Sequence, residues 1–137
     1  MTSQEEPKGH EFTASLRVWS EVLPLADLID RLGQPSDGHD IGDPISSGRP
    51  EAGRRKHAMW TLDSGLDRSR PLDEHIEALV AAAEARTAAL EALRDKCRID
   101  IFCGVFSRDG AQGGFTVEPQ LSARLAALSL PVGFDVY

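Results

Sequence analysis

Apolar residues fall into two periods along this chain, and the switches between them mark its elements. From Phe12 to Trp19 they alternate: Phe12, Ala14, Leu16 and Val18 point one way, Thr13, Ser15, Arg17 and Trp19 the other. A period of two is that of a half-buried strand. From Leu23 to Leu32 the spacing becomes three and four, through Leu25, Leu28, Ile29 and Leu32. That predicts a short helix, with Pro24 in its first turn and Gly33 and Pro35 closing it. His57 to Leu62 alternates again, placing Ala58, Trp60 and Leu62 on one side of a second strand. The longest helical pattern runs from Pro71 to Arg94. Leu72, Ile76, Leu79, Val80, Ala83, Thr87 and Leu90 share one face, and Glu74, Glu77, Glu84 and Arg86 the other. Read as one uninterrupted helix, it would span roughly 35 Å.

Arg98 to Phe106 is the strongest strand pattern, with Ile99, Ile101, Cys103 and Val105 on one face and Asp100, Phe102, Gly104 and Phe106 on the other. Ser107 to Gly114 reads as a turn with a hairpin signal at Asp109-Gly110. Phe115 to Val117 reads as a short returning strand. Glu118 to Leu128 reads as a helix with Leu121, Leu125 and Leu128 inward. Val132 to Tyr137 is a last strand through Val132, Phe134 and Val136. The expected order is β-α-β-α-β-β-α-β. Two strand–helix–strand halves predict an α+β fold: a mixed or antiparallel sheet with helices packed on one face, a ferredoxin-like or related sandwich. Residues 1–11 read as a flexible tail and 12–137 as a single domain. Inside it, residues 34–56 form a long charged loop without periodicity, holding four glycines and three prolines. A connection of that length is expected to be either functional or partly disordered.

Composition narrows the function classes. With 137 residues and 41% hydrophobic, the chain can bury a core without metals or disulfides. A net charge of −7 argues against a general nucleic-acid binder, which needs a surplus of Lys and Arg. No apolar run approaches the roughly 18 residues of a membrane span, and MTSQEEPKGHEF has no signal-peptide core. A cytoplasmic protein with no membrane partner is expected. Cys97 and Cys103 would lie roughly 20 Å apart on a straight strand, too far to pair, so reduced thiols are expected.

Candidate chemistry concentrates in the loop. Asp37, His39, Asp40 and Asp43 are followed by Arg49, Arg54, Arg55, Lys56 and His57. Clustered Arg side chains can grip a carboxylate or phosphate, so Arg49, Arg54, Arg55, Lys56 and His57 are candidate ligand-binding residues, with Asp43 beside them and Trp60 as an apolar wall. The commoner outcome for such a segment is a solvated loop whose charges cancel. The Asp-x-His-Asp-x-x-Asp spacing matches no strong metal template, and no metal ligands or cofactors are expected. There is no nucleophile elbow, P-loop or dinucleotide fingerprint, and Gly110, Gly113 and Gly114 lack the spacing for one. Cys103, between Ile101 and Val105, reads as an inert buried thiol. His75, on the first turn of the long helix, reads as a surface histidine.

Taken in order, several of these features resemble the bacterial family called domain of unknown function 4279. They are the opening strand, Leu32-Gly33 with Pro35, Gly42-Asp43, Trp60, the long alanine-rich helix, Leu121 to Leu128, and the closing Asp135-Val136-Tyr137. The resemblance spans Phe12 to Tyr137 and implies a fold but no activity. It also implies a basic residue before the Gly-Asp pair, where this chain has Ile41; Arg54, Arg55 or Lys56 would have to take over any ligand contact there. The function expected is a non-enzymatic binding or protein-interaction domain, immunity or antitoxin-like in one form, whose acidic surface caps a basic partner. The alternative is a small anionic ligand held by the 34–56 loop, and an enzyme is the least supported reading. The C-terminal edge strand is a candidate homodimer contact.

Overall fold

The computed structural model describes residues 10–107 and 114–137. A five-stranded mixed sheet carries four helices on one face. In chain order the elements are β1 (His10–Ser20), α1 (Leu25–Leu32), β2 (Asp37–His39), β3 (Ala58–Asp63), α2 (Leu72–Glu84), α3 (Thr87–Leu93), β4 (Arg98–Ser107), α4 (Pro119–Ala127) and β5 (Val132–Val136). Across the sheet the strands run β2-β3-β1-β4-β5.

β1 lies at the centre, antiparallel to both β3 and β4, and β2 is antiparallel to β3. β1 and β2 are therefore parallel with β3 between them, joined through α1. β3 and β4 are parallel with β1 between them, joined through α2 and α3. Two interleaved split β-α-β units of this kind make the ferredoxin-like arrangement. β4, α4 and β5 add a fifth strand, parallel to β4 and next to it.

Alternation determines which face is covered. Phe12, Ala14, Leu16 and Val18 of β1, Ala58 and Trp60 of β3, and Ile99, Ile101, Cys103 and Val105 of β4 all turn towards the helices. They meet Leu28 and Leu32 of α1, Leu72, Ile76, Leu79, Val80 and Ala83 of α2, Leu90 and Leu93 of α3, and Leu121 and Leu125 of α4 in one core. Each large aliphatic side chain taken fully out of water contributes about 1.5–3 kcal/mol. Trp60 sits at the centre, fully buried, and its indole N–H donates to the Gly33 carbonyl at 2.8 Å.

Four sequence expectations change in detail. The stretch 71–94 is two helices, not one. Arg86 leaves helical geometry at φ −121°, ψ 21°, and its guanidinium donates to the carbonyls of Ala82 and of Leu32, at the end of α1. The break leaves Thr87 exposed, although it was expected on the inner face, while Leu90 and Leu93 are buried. Second, the 34–56 connection is not structureless. It contains β2, a 3₁₀ turn at Pro50–Ala52 and a bridge between Pro44 and Arg54. Asp-Gly-His has no apolar alternation because β2 pairs through its backbone alone. A Cβ on Gly38 would sit 2.7 Å from the Met59 carbonyl oxygen, so only glycine fits that approach.

Third, Phe115 to Val117 is not a strand. Phe115 packs by its ring, stacked on Phe134 at 5.4 Å and edge-on to Phe12 at 6.2 Å. The Asp109-Gly110 hairpin signal lies outside the described residues. Fourth, His10 and Glu11, expected in the tail, already pair with Ser107 and Phe106. Among the described residues no helix is long and apolar enough to cross a membrane.

Candidate functional site

The charged loop is organised by its own side chains. One Asp40 carboxylate oxygen accepts from the backbone N–H groups of Leu25 (3.0 Å) and Ile41 (2.8 Å), and Asp43 accepts from the Asp40 N–H at 2.7 Å. Two short runs then face each other: Gly42 N–H donates to the Arg55 carbonyl, Arg55 N–H to the Asp43 carbonyl, and Ile45 N–H to the Gly53 carbonyl. Arg54 donates to the Gly42 carbonyl at 2.9 Å. A basic side chain thus stands beside the Gly-Asp pair from across the loop, although Ile41 precedes that pair in sequence. Gly42 adopts φ +90°, where a side chain would be strained.

The expected ligand-binding residues do not all converge. Arg49 and Lys56 are exposed. Arg55 is half-buried, and its guanidinium makes a long hydrogen bond to the Ile45 carbonyl at 3.5 Å. His57 lies with its ring 5.4 Å from that of His39. Burial, and after it the nearby Arg55 guanidinium, lowers the pKa of His39. Trp60 is fully buried in the core, so it offers no open wall to a ligand in the loop.

The opposite face of the sheet is where unspent side chains gather. The helices cover one face only, so the outward positions of β1, β3 and β4 carry Arg17, Trp19, Met59, Phe102 and Phe106 half-exposed. Arg17 and Asp100 stand directly opposite each other on β1 and β4, and the guanidinium forks onto the carboxylate at 2.9 and 2.8 Å. The same guanidinium lies 4.4 Å from the Phe102 ring centre and 5.0 Å from that of Trp19. Arg98 also lies by the Trp19 ring, at 5.8 Å from its centre. Further along, Phe106 stacks on Tyr137 at 4.7 Å and nearly parallel, with Arg68 over its ring at 4.7 Å. Gly104 makes room for this: a Cβ there would overlap Thr13 Oγ1 at 2.7 Å and the Phe106 ring at 2.9 Å. Beyond Trp19 the face runs into an open groove of about 680 Å³, whose lining includes Val22, Lys96, Cys97 and Arg98.

Two single residues complete the inventory. The Cys103 thiol is buried, and desolvation pushes its pKa up to about 12, which removes the thiolate from neutral pH. His75 is not a surface histidine. It is 1% exposed, with Nδ1 2.6 Å from Ser64 Oγ. Leu72, His75, Ile76 and Leu79 follow the i, i+3, i+4, i+7 spacing of one helix face, so its burial was legible in the same stripe as its apolar neighbours. Among the described residues, no three His, Cys, Asp or Glu side chains are grouped to hold a metal ion.

A comparison with protein families gives one match, to the family described as Domain of unknown function (DUF4279), over residues 10–137. No curated protein and no solved structure matches the chain.

Proposed function

The chain belongs to the DUF4279 family, and because that membership assigns no activity, we propose from the geometry that it is an interaction domain binding a protein partner on its uncovered sheet face. The observation that carries this reading is the Arg17 clamp. A guanidinium held by a bidentate carboxylate and lying against two aromatic rings is already ordered, so little side-chain entropy remains to be lost on docking. Trp, Tyr, Phe, Met and Arg are also the residue types enriched at the centres of interfaces, and Trp19, Tyr137, Phe102, Met59 and Arg17 supply each of them. A net charge of −7 favours encounter with a basic partner, the kind an immunity or antitoxin-like protein covers. A cytoplasmic location belongs to the same reading.

The test is an affinity pulldown from the native host, read by mass spectrometry. Wild type runs beside a Trp19→Ala/Phe102→Ala variant and an Arg54/Arg55/Lys56 triple-alanine variant. A stoichiometric partner should survive the loop substitutions and fall by about thirtyfold or more with the sheet-face pair, the weight of one interface hot spot. An unchanged partner set in the sheet-face variant sinks the proposal.

A second reading has its own support. Arg55 Nε and His39 Nε2 are buried without hydrogen-bond partners, and the two side chains are close enough for Arg55 to depress the His39 pKa. Buried N–H groups without acceptors suit a small anion such as a carboxylate or phosphate between them. On this reading anions raise the melting temperature, and an Arg54→Ala, Arg55→Ala double variant loses that shift. Equal shifts in both proteins count against the loop.

A further inference from the structure

β3 parts from β1 after the Ser15–Asp63 pair, and the chain turns away through Ser64, Gly65 and Leu66. The gap is a cleft of about 500 Å³ whose lining includes Phe12, Ala14, Ser15, Asp63, Ser64 and His75. Ser64 is fixed there by its backbone N–H, which donates to the Ala14 carbonyl at 3.1 Å. His75 comes from the first turn of α2, and its ring is almost fully buried behind the serine. We propose that Ser64 is a reactive nucleophile and His75 its general base, together forming an acyl-transfer site for small activated carboxylic esters in this cleft. This goes beyond the binding reading and does not depend on it, because the cleft and the Arg17 clamp share no residue.

Geometry carries the proposal. Ser64 Oγ is 2.6 Å from Nδ1, close enough for the hydroxyl proton to be handed over directly. With Oγ–H donating, Nδ1 is the acceptor and the neutral ring keeps its own proton on Nε2. Burial lowers the His75 pKa, so the ring is a free base at neutral pH. The backbone carbonyls of Asp67 and Arg70, and the carboxylates of Glu74 and Asp67, act in the opposite sense but are outweighed. Asp63, at the rim, is engaged by Ser15 Oγ at 3.0 Å. Leu66 N–H donates to Ser64 Oγ at 3.3 Å, which helps to fix the hydroxyl in place.

The step balances within the pair and its substrate. Ser64 Oγ adds to the ester carbonyl carbon as its proton passes to Nδ1. The tetrahedral intermediate collapses, the carbon–oxygen bond to the leaving group breaks, and His75 returns the proton to that group. An acyl ester on Ser64 remains, and water releases it as a carboxylic acid by the same route.

p-Nitrophenyl acetate is the probe, read by p-nitrophenol release, intact mass and peptide mapping. One acetyl group is expected on Ser64 of the wild type and none there in Ser64→Ala. His75→Asn should slow acetylation about 10²-fold, the usual share of a general base. A tie that merely holds the loop would not set a pH profile; a general base would. The wild-type rate should rise through one ionisation below pH 6.5 and then level off, and this decides the matter if His75→Asn fails to fold. No acetyl on Ser64, a folded His75→Asn with unchanged rate, or a profile without that ionisation each overturn the proposal.

Discussion

His75 shows what burial does to a single titratable side chain. Its pKa is lowered first by desolvation, so the folded protein holds it neutral at pH values where an unfolded chain would protonate it. The unfolded state then binds more protons, and stability rises with pH in that window. Stability from this source is complete above about pH 6.5 and falls as pH drops from there towards the folded-state pKa. His39, also lowered by burial, acts in the same direction. Glu84 and Asp67 have lowered pKa values too, but a carboxylate loses its contribution only below about pH 4.5, so the window from 6.5 to 5 belongs to the histidines. Urea midpoints measured from pH 7.5 down to pH 5 should therefore decline in the wild type and decline less in His75→Asn. Parallel declines would mean that His75 does not titrate on unfolding.

Among the elements, Arg86 decides how the helical layer is divided. It donates to Leu32 at the end of α1 and to Ala82 in α2, and its guanidinium lies 5.8 Å from the Trp60 ring centre. One side chain thus ties two helices to the middle of the sheet at the point where the chain changes direction. Arg86→Ala should cost about 1–3 kcal/mol, because hydrogen bonds from a charged donor are lost and the freed carbonyls are partly buried. Urea denaturation of the purified variant measures it, and a change below about 0.5 kcal/mol would assign the break to backbone packing alone. Arg124 makes a contrasting link, from α4 to Glu84 and Glu77 of α2 at 2.8 and 3.5 Å. That pair is open to water and screened by salt, so it orients α4 without holding it.

For the whole molecule, one core joins every layer. Residues of β1, β3, β4 and all four helices belong to a single buried cluster, and α4 contributes Leu121 and Leu125 to it. Unfolding is therefore expected to be one cooperative transition. In a Trp19→Phe variant Trp60 reports the centre of the core by fluorescence, while far-UV circular dichroism reports the helices. The two should give the same urea midpoint. An earlier far-UV transition would mark α4 and β5 as a unit that opens by itself, leaving the double split β-α-β body intact. The uncovered face is a property of the same scale. Helices on one side only leave the outer side of a five-stranded sheet without a packing layer, so its aromatic and Arg side chains stay half-exposed on the face proposed for docking.

The amino-acid sequence by itself determined which residues turn inward. Period two in Phe12–Val18 and Ile99–Val105, and period three to four in the Leu stripes, come from the geometry of strand and helix and need no distant contact. Those patterns yield the α+β class, the one-sided helical layer and the buried thiol at Cys103, while the family resemblance rests on the order of short motifs such as Leu32-Gly33 with Pro35, Gly42-Asp43 and Asp135-Val136-Tyr137. Tertiary structure alone decided what depends on residues far apart meeting. β2 exists because Asp37–His39 finds an edge on β3, a backbone pairing that leaves no apolar signature. The long helix breaks at Arg86, whose guanidinium reaches Leu32, 54 positions away. Ser64 meets His75, and Arg17 meets Asp100 and Phe102, only once β1, β3, β4 and α2 are in place. Loop charge pointed to residues 34–56 because charge is visible in sequence. The sheet-face clamp and the Ser64–His75 pair were hidden because their chemistry lies in distances between strands and a helix.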